Sequence, residues 1–314
     1  MEDIKILQSK LQENPDDLET LENYAIALSD IGENEEALKN FLYLHSKSPD
    51  NPKILYNIGI IFEKLKYIEK AVAAYERALS FLPDDTDILY NLANTYISKK
   101  KYDKAEELFL KVLENDATDA NSFFHLGEIY SKQKKHELSI EYLLKALEYN
   151  PDDIIARFYL AYEYKETGNI DKAVENYRQV LHQNPDYSWA YYNLALIYAQ
   201  TGDDARAADY LDKTIKTNPH DIEAIKLIVK IYSKTKKYAL AEKLLKKAIR
   251  DLPENADLYF LLARIYKILD NNISYVKCLK SALAREATFS GDIEELKNEI
   301  KNSTKTSDKK PNKN

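Results

Sequence analysis

Apolar residues along this chain come in short stripes with a period of three to four, separated by polar stretches. Leu55, Ile58, Gly59 and Phe62 stand at i, i+3, i+4 and i+7, one face of an α-helix. Ala71, Tyr75, Ala78 and Leu79 repeat that stripe after a polar gap. The pattern predicts two helices joined by a turn, each with one apolar and one charged face. The same hairpin returns at a step of 34 residues. Ala25, Gly59, Ala93, Gly127, Ala161, Ala195, Val229 and Ala263 form one column at that step. Ala37, Ala71, Ala105, Ser139, Ala173, Ala207 and Ala241 form a second, with Tyr275 out of pattern. Small residues kept at one place mark helix crossings too close for a larger side chain. A repeat of this length, held without insertion or deletion, indicates a stacked array. The expected fold class is all-α.

Helix ends are marked at the same step. Pro49, Pro83, Pro151, Pro185, Pro219 and Pro253 close the second helix, because proline has no N–H to continue it. Two residues later stand Asn51, Asp85, Asp153, Tyr187, Asp221 and Asn255, with Asp17 and Asp119 at the same place in the two remaining units. All but Tyr187 are N-capping residues, whose side-chain oxygen accepts free N–H groups of the next helix. Gly32, Gly168 and Gly202 fall between the two helices of their units, where a left-handed turn costs glycine little.

The fifth unit reads Leu160-Ala161, Tyr164, Ala173, Tyr177 and Pro185, and the sixth Leu194-Ala195, Tyr198, Ala207, Leu211 and Pro219. Tyr96, Tyr130, Tyr164, Tyr198, Tyr232 and Tyr266 carry one aromatic column through successive units. These residues at these spacings resemble the tetratricopeptide repeat (TPR) family. The resemblance covers residues 18–289 as eight tandem repeats and implies a right-handed α-solenoid of helix-turn-helix units. Residues 1–17 read as an N-terminal capping half-repeat, with Ile6, Leu7 and Leu11 covering the first full repeat. Residues 290–301 read as a C-terminal capping helix carrying Ile293, Leu296 and Ile300. Residues 302–314 are Lys-rich and polar, and are expected to be a disordered tail.

A chain of 314 residues exceeds what one core usually supports, but a stacked array escapes that limit because each repeat is buried against its neighbours. The single Cys278 cannot form an internal disulfide. The start, Met1-Glu-Asp-Ile-Lys, lacks a basic stretch followed by an apolar run, and no apolar run approaches the ~18 residues of a membrane span. A soluble cytoplasmic protein with no membrane contact is expected. The net charge of -7 gives no case for nucleic acid. It conceals an asymmetry, however. Residues 1–50 carry twelve acids against four lysines, whereas residues 226–250 carry eight lysines and Arg250 against Glu242 alone.

Nothing in the pattern supports catalysis. His45, His125, His136, His182 and His220 occupy unrelated places in their repeats. His125 and Glu128 lie one turn apart, but two ligands fall short of the three or four a metal needs. No glycine-rich phosphate loop is present. Neither metal nor cofactor is expected, and the chain reads as a non-enzyme.

In the TPR family the first helices of successive repeats line a concave groove. Carried over by register, the resemblance implies a groove lined by Tyr56, Asn57, Tyr90, Asn91, Asn94, Phe124, Phe158, Tyr159, Tyr162, Trp189, Tyr192 and Asn193. Asn23, Asn57, Asn91 and Asn193 share one slot, and an amide can both donate to and accept from an extended peptide backbone. The aromatic residues offer broad contact area at low entropy cost. Lys226, Lys230 and Lys234, with Arg264 and Lys267, form a basic end expected to draw an anionic guest. Some TPR domains grip a C-terminal carboxylate with a Lys–Asn–Asn–Lys–Arg set. Lys226 fits its first place, but Lys230 and Leu261 stand where its asparagines belong, so that set is not reproduced. The leading expectation is an adaptor holding an extended, partly acidic segment of a partner protein. A second reading is a self-assembling component that pairs its acidic and basic ends into a homo-oligomer. A third is the substrate-docking subunit of a separate enzyme.

Overall fold

A computed structural model describes residues 4–307 of the chain. Among them the regular structure is helical, with no strand. The chain divides into two compact units, Met1–Glu163 and Tyr164–Asn314, rather than one undivided array. In the first unit, α1 (Ile4–Glu13) precedes four hairpins: α2 (Leu18–Asp30) with α3 (Asn34–Lys47), α4 (Pro52–Lys64) with α5 (Ile68–Phe81), α6 (Thr86–Ser98) with α7 (Tyr102–Asn115), and α8 (Ala120–Lys132) with α9 (His136–Tyr149). The division falls within α10 (Ile154–Glu166). The second unit continues with α11 (Ile170–Gln183), α12 (Ser188–Gln200) with α13 (Asp204–Thr217), α14 (Ile222–Lys234) with α15 (Tyr238–Asp251), and α16 (Ala256–Ile268) with α17 (Asn272–Leu283). A 3-10 turn at Glu286–Thr288 leads into α18 (Ile293–Ser307).

The helix starts are capped as the acids and asparagines predict. Asp17 accepts the N–H of Thr20 at 3.1 Å, Asp85 that of Ile88 at 3.0 Å, Asp119 that of Ser122 at 2.9 Å and Asp221 that of Ala224 at 2.9 Å. Asn51, Asp153 and Asn255 do the same, whereas Tyr187 makes no side-chain cap. The turn inside each hairpin always places one residue in the left-handed region. Gly32, Gly168 and Gly202 take that place, and so do Lys66, Lys100, Lys134, Lys236 and Asp270, all at 34-residue steps. The turn geometry therefore outweighs the ~1–2 kcal/mol that a side chain adds to this conformation.

The hairpin is closed by a small residue on the first helix against a large one on the second. A Cβ added at Gly59 would lie 2.4 Å from the Tyr75 ring, and one at Gly127 would lie 2.7 Å from Leu143 Cγ. The large column in this register, Phe41, Tyr75, Phe109, Leu143, Tyr177, Leu211, Leu245 and Leu279, is sealed from solvent. The terminal helices keep the register. Leu7 of α1 is buried 34 residues before Phe41, and Leu296 of α18 is buried 34 residues after Leu262. Thus α1 keeps the register of a second helix, and α18 that of a first helix.

One boundary differs from expectation. The last helix runs to Ser307 rather than ending near Lys301, because adding polar residues to a helix already docked costs little beyond nucleation. Ser303 also bonds back to the Glu299 carbonyl at 2.7 Å. Residues 1–3 of the expected N-terminal half-repeat, and residues 308–314 of the expected tail, lie outside the described residues.

Gly59→Ala is expected to cost about 1–3 kcal/mol by forcing the Tyr75 ring aside. The Tyr75 hydroxyl donates to Glu63 at 2.7 Å, so adding Tyr75→Phe, which frees the ring of that tether, should recover part of the loss. Urea unfolding measures both. An unchanged midpoint for Gly59→Ala would show that the helices do not cross this closely.

Candidate interaction site

On the first helices of the first unit, aromatic rings form a continuous row. The Tyr90 hydroxyl shares a hydrogen bond with His125 Nε2 at 2.9 Å, and the two rings meet edge-on with centroids 5.6 Å apart. His125 stacks on the buried Phe109 at 5.1 Å and touches Phe124 edge-on. Phe124 meets Tyr159 at 5.6 Å, and Tyr159 meets Phe158 at 6.1 Å. The row thus crosses α6, α8 and α10. His125 Nδ1 lies 3.4 Å from Glu128, which fixes the ring plane without building a metal site. Asn94 on α6, Asn57 on α4 and Tyr162 on α10 are half-buried. Burial, the largest cause, pushes the phenols of Tyr56 and Tyr90 above their ordinary value, so both stay neutral.

The shared asparagine slot is partly consumed within the fold. Asn91 Nδ2 donates to the Tyr56 hydroxyl and to the Asp87 carbonyl, each at 2.9 Å. In the second unit Asn193 is buried, and its amide donates to the Trp189 carbonyl at 2.9 Å while accepting from Lys165 at 3.1 Å. Asn193 is therefore a tie between helices and not a group offered to a guest. Beside it, Trp189 is 61% exposed, a costly placement for the largest apolar side chain. Tyr192 is half-buried, and burial together with Asp221 and Glu223 raises its phenol.

The basic end differs most from expectation. Lys226 pairs with Asp257 at 2.9 Å and Glu223 at 3.1 Å, and Lys234 with Asp204 at 2.8 Å. Arg264 pairs with Glu299 of α18, and Lys267 reaches the same carboxylate at 3.0 Å. Of the five cations only Lys230 is exposed without an ion pair among the described residues. The expected anion-attracting cluster is thus neutralised from within. Burial opposes the charge of Glu299, but the hydroxyl of Tyr275 and the cations Arg264 and Lys267 outweigh it and hold its carboxyl down at about 2. Apart from Glu223, these carboxylates lie about one repeat from their partners in sequence, which is why a local count of charge misses them. The signal that could have found Glu299 is the register of Leu296, which makes α18 a ninth first helix.

Among the described residues no group of His, Cys, Asp or Glu could hold a metal ion, and no helix is long and apolar enough to cross a membrane. The family model for the tetratricopeptide repeat protein 21 C-terminal ARM domain matches residues 4–190. The chain belongs to the tetratricopeptide repeat family. A tetratricopeptide repeat model also matches residues 164–231 of this TPR chain. Among solved structures, YrrB, described as a TPR protein with an unusual peptide-binding site, is 26% identical with a TM-score of 0.51, covering 60% of this chain and 96% of its own. MamA is 25% identical with a TM-score of 0.50, covering 53% of this chain and 97% of its own. A tetratricopeptide repeat protein from Parabacteroides merdae shares the fold over 91% of this chain and 98% of its own, with 20% identity and a TM-score of 0.58. No curated protein sequence matches the chain. As a TPR solenoid it is a scaffold for protein interaction.

The depressed carboxyl of Glu299 has a defined pH signature. Its folded value of about 2 lies below the ordinary 4.5, so its contribution is fully present above that ordinary value and is lost as pH falls toward 2. Glu299→Gln should lower the urea midpoint at about pH 6, with the difference shrinking as pH falls through about 2. A gap between the two proteins that does not change with pH would show that this ion cluster does not hold α18.

Proposed function

We propose that this TPR chain is a cytoplasmic adaptor that holds an extended segment of another polypeptide on the open faces of its first helices. The row of rings from Tyr90 through His125, Phe124, Tyr159 and Phe158 carries this reading. Packing within hairpins needs the Phe109 side of that row, but it does not account for the half-exposed edges of Phe124 and Tyr159 or for Trp189 in the second unit. Flat, stiff side chains of this kind dominate interface hot spots. The similarity to YrrB, a TPR protein described as having a peptide-binding site, points the same way. The pairing of Lys226, Lys234, Arg264 and Lys267 with internal carboxylates removes the reason to require an acidic segment, so the reading keeps the extended partner without that restriction.

The test is a triple variant, Phe124→Ala/Trp189→Ala/Tyr192→Ala, which spares Asn193 and the hairpin columns. Partners captured by the full chain and identified by mass spectrometry would be titrated against it. Affinity should fall at least ~30-fold, the equivalent of one hot spot worth ~2 kcal/mol. Leu110→Ala/Leu144→Ala, on exposed positions of second helices, should leave binding unchanged. Unaltered affinity in a folded triple variant would remove these faces from the interaction.

A further inference from the structure

Between α16 and α18 lies a cavity of about 400 Å³ that no reading of the sequence anticipated. Its walls are Phe260 and Leu261 from α16, Phe289 from the preceding turn and Leu296 from α18. Phe260 and Phe289 meet edge-on, with centroids 5.1 Å apart. Gly291 permits this placement, because a Cβ there would lie 2.8 Å from the Phe289 ring. The turn is latched by the Ser290 N–H, which donates to Asp257 at 2.8 Å. The walls are therefore built and held, and the volume lies at the low end for small-ligand pockets, with room for one large anchoring side chain.

The rim decides what that anchor stands beside. Two cations line the cavity, Lys226 and Arg264, against four carboxylates, Asp257, Asp292, Glu295 and Glu299. Lys226 is bound to Asp257, and Arg264 is bound to Glu299 while lying over the Phe260 ring at 4.4 Å. After these pairings Asp292 and Glu295 remain, both exposed, with the Asp292 carboxylate accepting the Glu295 backbone N–H at 2.9 Å. The residual charge is negative, opposite in sign to what the lysine-rich sequence of this end suggests. A carboxylate beside an incoming side chain would meet like charge; an ammonium or guanidinium would meet a vacant partner.

We propose that this cavity is a subsite for a bulky apolar side chain flanked by lysine or arginine, the apolar group entering between Phe260, Phe289 and Leu296 and the cation meeting Glu295 and Asp292. It rests on the adaptor reading only in taking the occupant to be part of a polypeptide.

The test uses the full chain labelled with 15N-glycine, which carries six glycines, of which Gly291 alone lines the cavity. Acetyl-Lys-Trp-Lys-amide should shift the Gly291 amide signal saturably. Acetyl-Glu-Trp-Glu-amide should bind roughly tenfold more weakly, and acetyl-Lys-Ala-Lys-amide should leave the signal in place. Glu295→Lys, an exposed change that leaves the walls intact, should reverse the preference between the two tryptophan peptides. A Gly291 signal unmoved by the lysine peptide, moved equally by the acidic one, or unchanged in preference by Glu295→Lys would overturn the proposal. Any of these outcomes would leave the Phe124, Trp189 and Tyr192 faces untouched, so the two readings fail separately.

Discussion

The contact between a small residue on each first helix and a large buried residue on its partner sets everything else in this protein. Where Gly59 meets Tyr75 and Gly127 meets Leu143, no room exists for even one methyl group without displacing the larger side chain. That contact fixes how closely the two helices cross, and close-packed interiors transmit such a constraint with little slack. Repeated at a constant step, it sets each first helix in the same way against its own second helix. One side of each is consumed by packing, and the side carrying Tyr90, Phe124 or Trp189 is left open.

A second column shows how polar residues are admitted to this core. Ile61, Ile129, Ile197, Ile231 and Ile265 are buried at one place in the register, and Thr95, Glu163 and Glu299 hold the same place in other units. Each exception is met by a polar partner from the preceding unit. Thr95 donates to Glu63 at 2.6 Å, Ser131 donates to Glu163, and Lys267 pairs with Glu299. Glu63, Ser131 and Lys267 themselves share one column, in which Ile97 stands in the unit preceding Ile129. Each polar residue of the first column is thus matched by a polar residue of the second, as the cost of an unsatisfied buried group requires. By contrast, Ser29, Lys165 and Ser233 of the second column stand opposite Ile61, Ile197 and Ile265. Glu163 has His136 as a further partner at 2.7 Å. The same device docks α18, where Glu299 pairs Arg264 and Lys267.

How much of this was legible follows from the range of each interaction. Hairpin pitch, the small columns and the N-caps are written locally, in residues whose spacing and chemistry state their role. The left-handed turns were legible at Gly32, Gly168 and Gly202 but not at Lys66, Lys100, Lys134 or Lys236, because lysine carries no signature for that conformation. The ring residues of the candidate site could be placed by register alone. Asn193 could not be judged that way, since its amide is spent on Lys165 and the Trp189 carbonyl. The basic end was misjudged for a related reason: Asp204, Asp257 and Glu299 are distant in sequence and adjacent in space.

The central claim is that the first helices, rather than the second, present the surface a partner touches. A photo-crosslinking amino acid placed singly at Phe124, Trp189, Leu110 or Leu144 in the full chain, and irradiated in its native cells, tests that claim most directly. Covalent adducts from the first-helix positions Phe124 and Trp189, and none from Leu110 and Leu144 on second helices, are the predicted result. Adducts confined to Leu110 and Leu144 would contradict it.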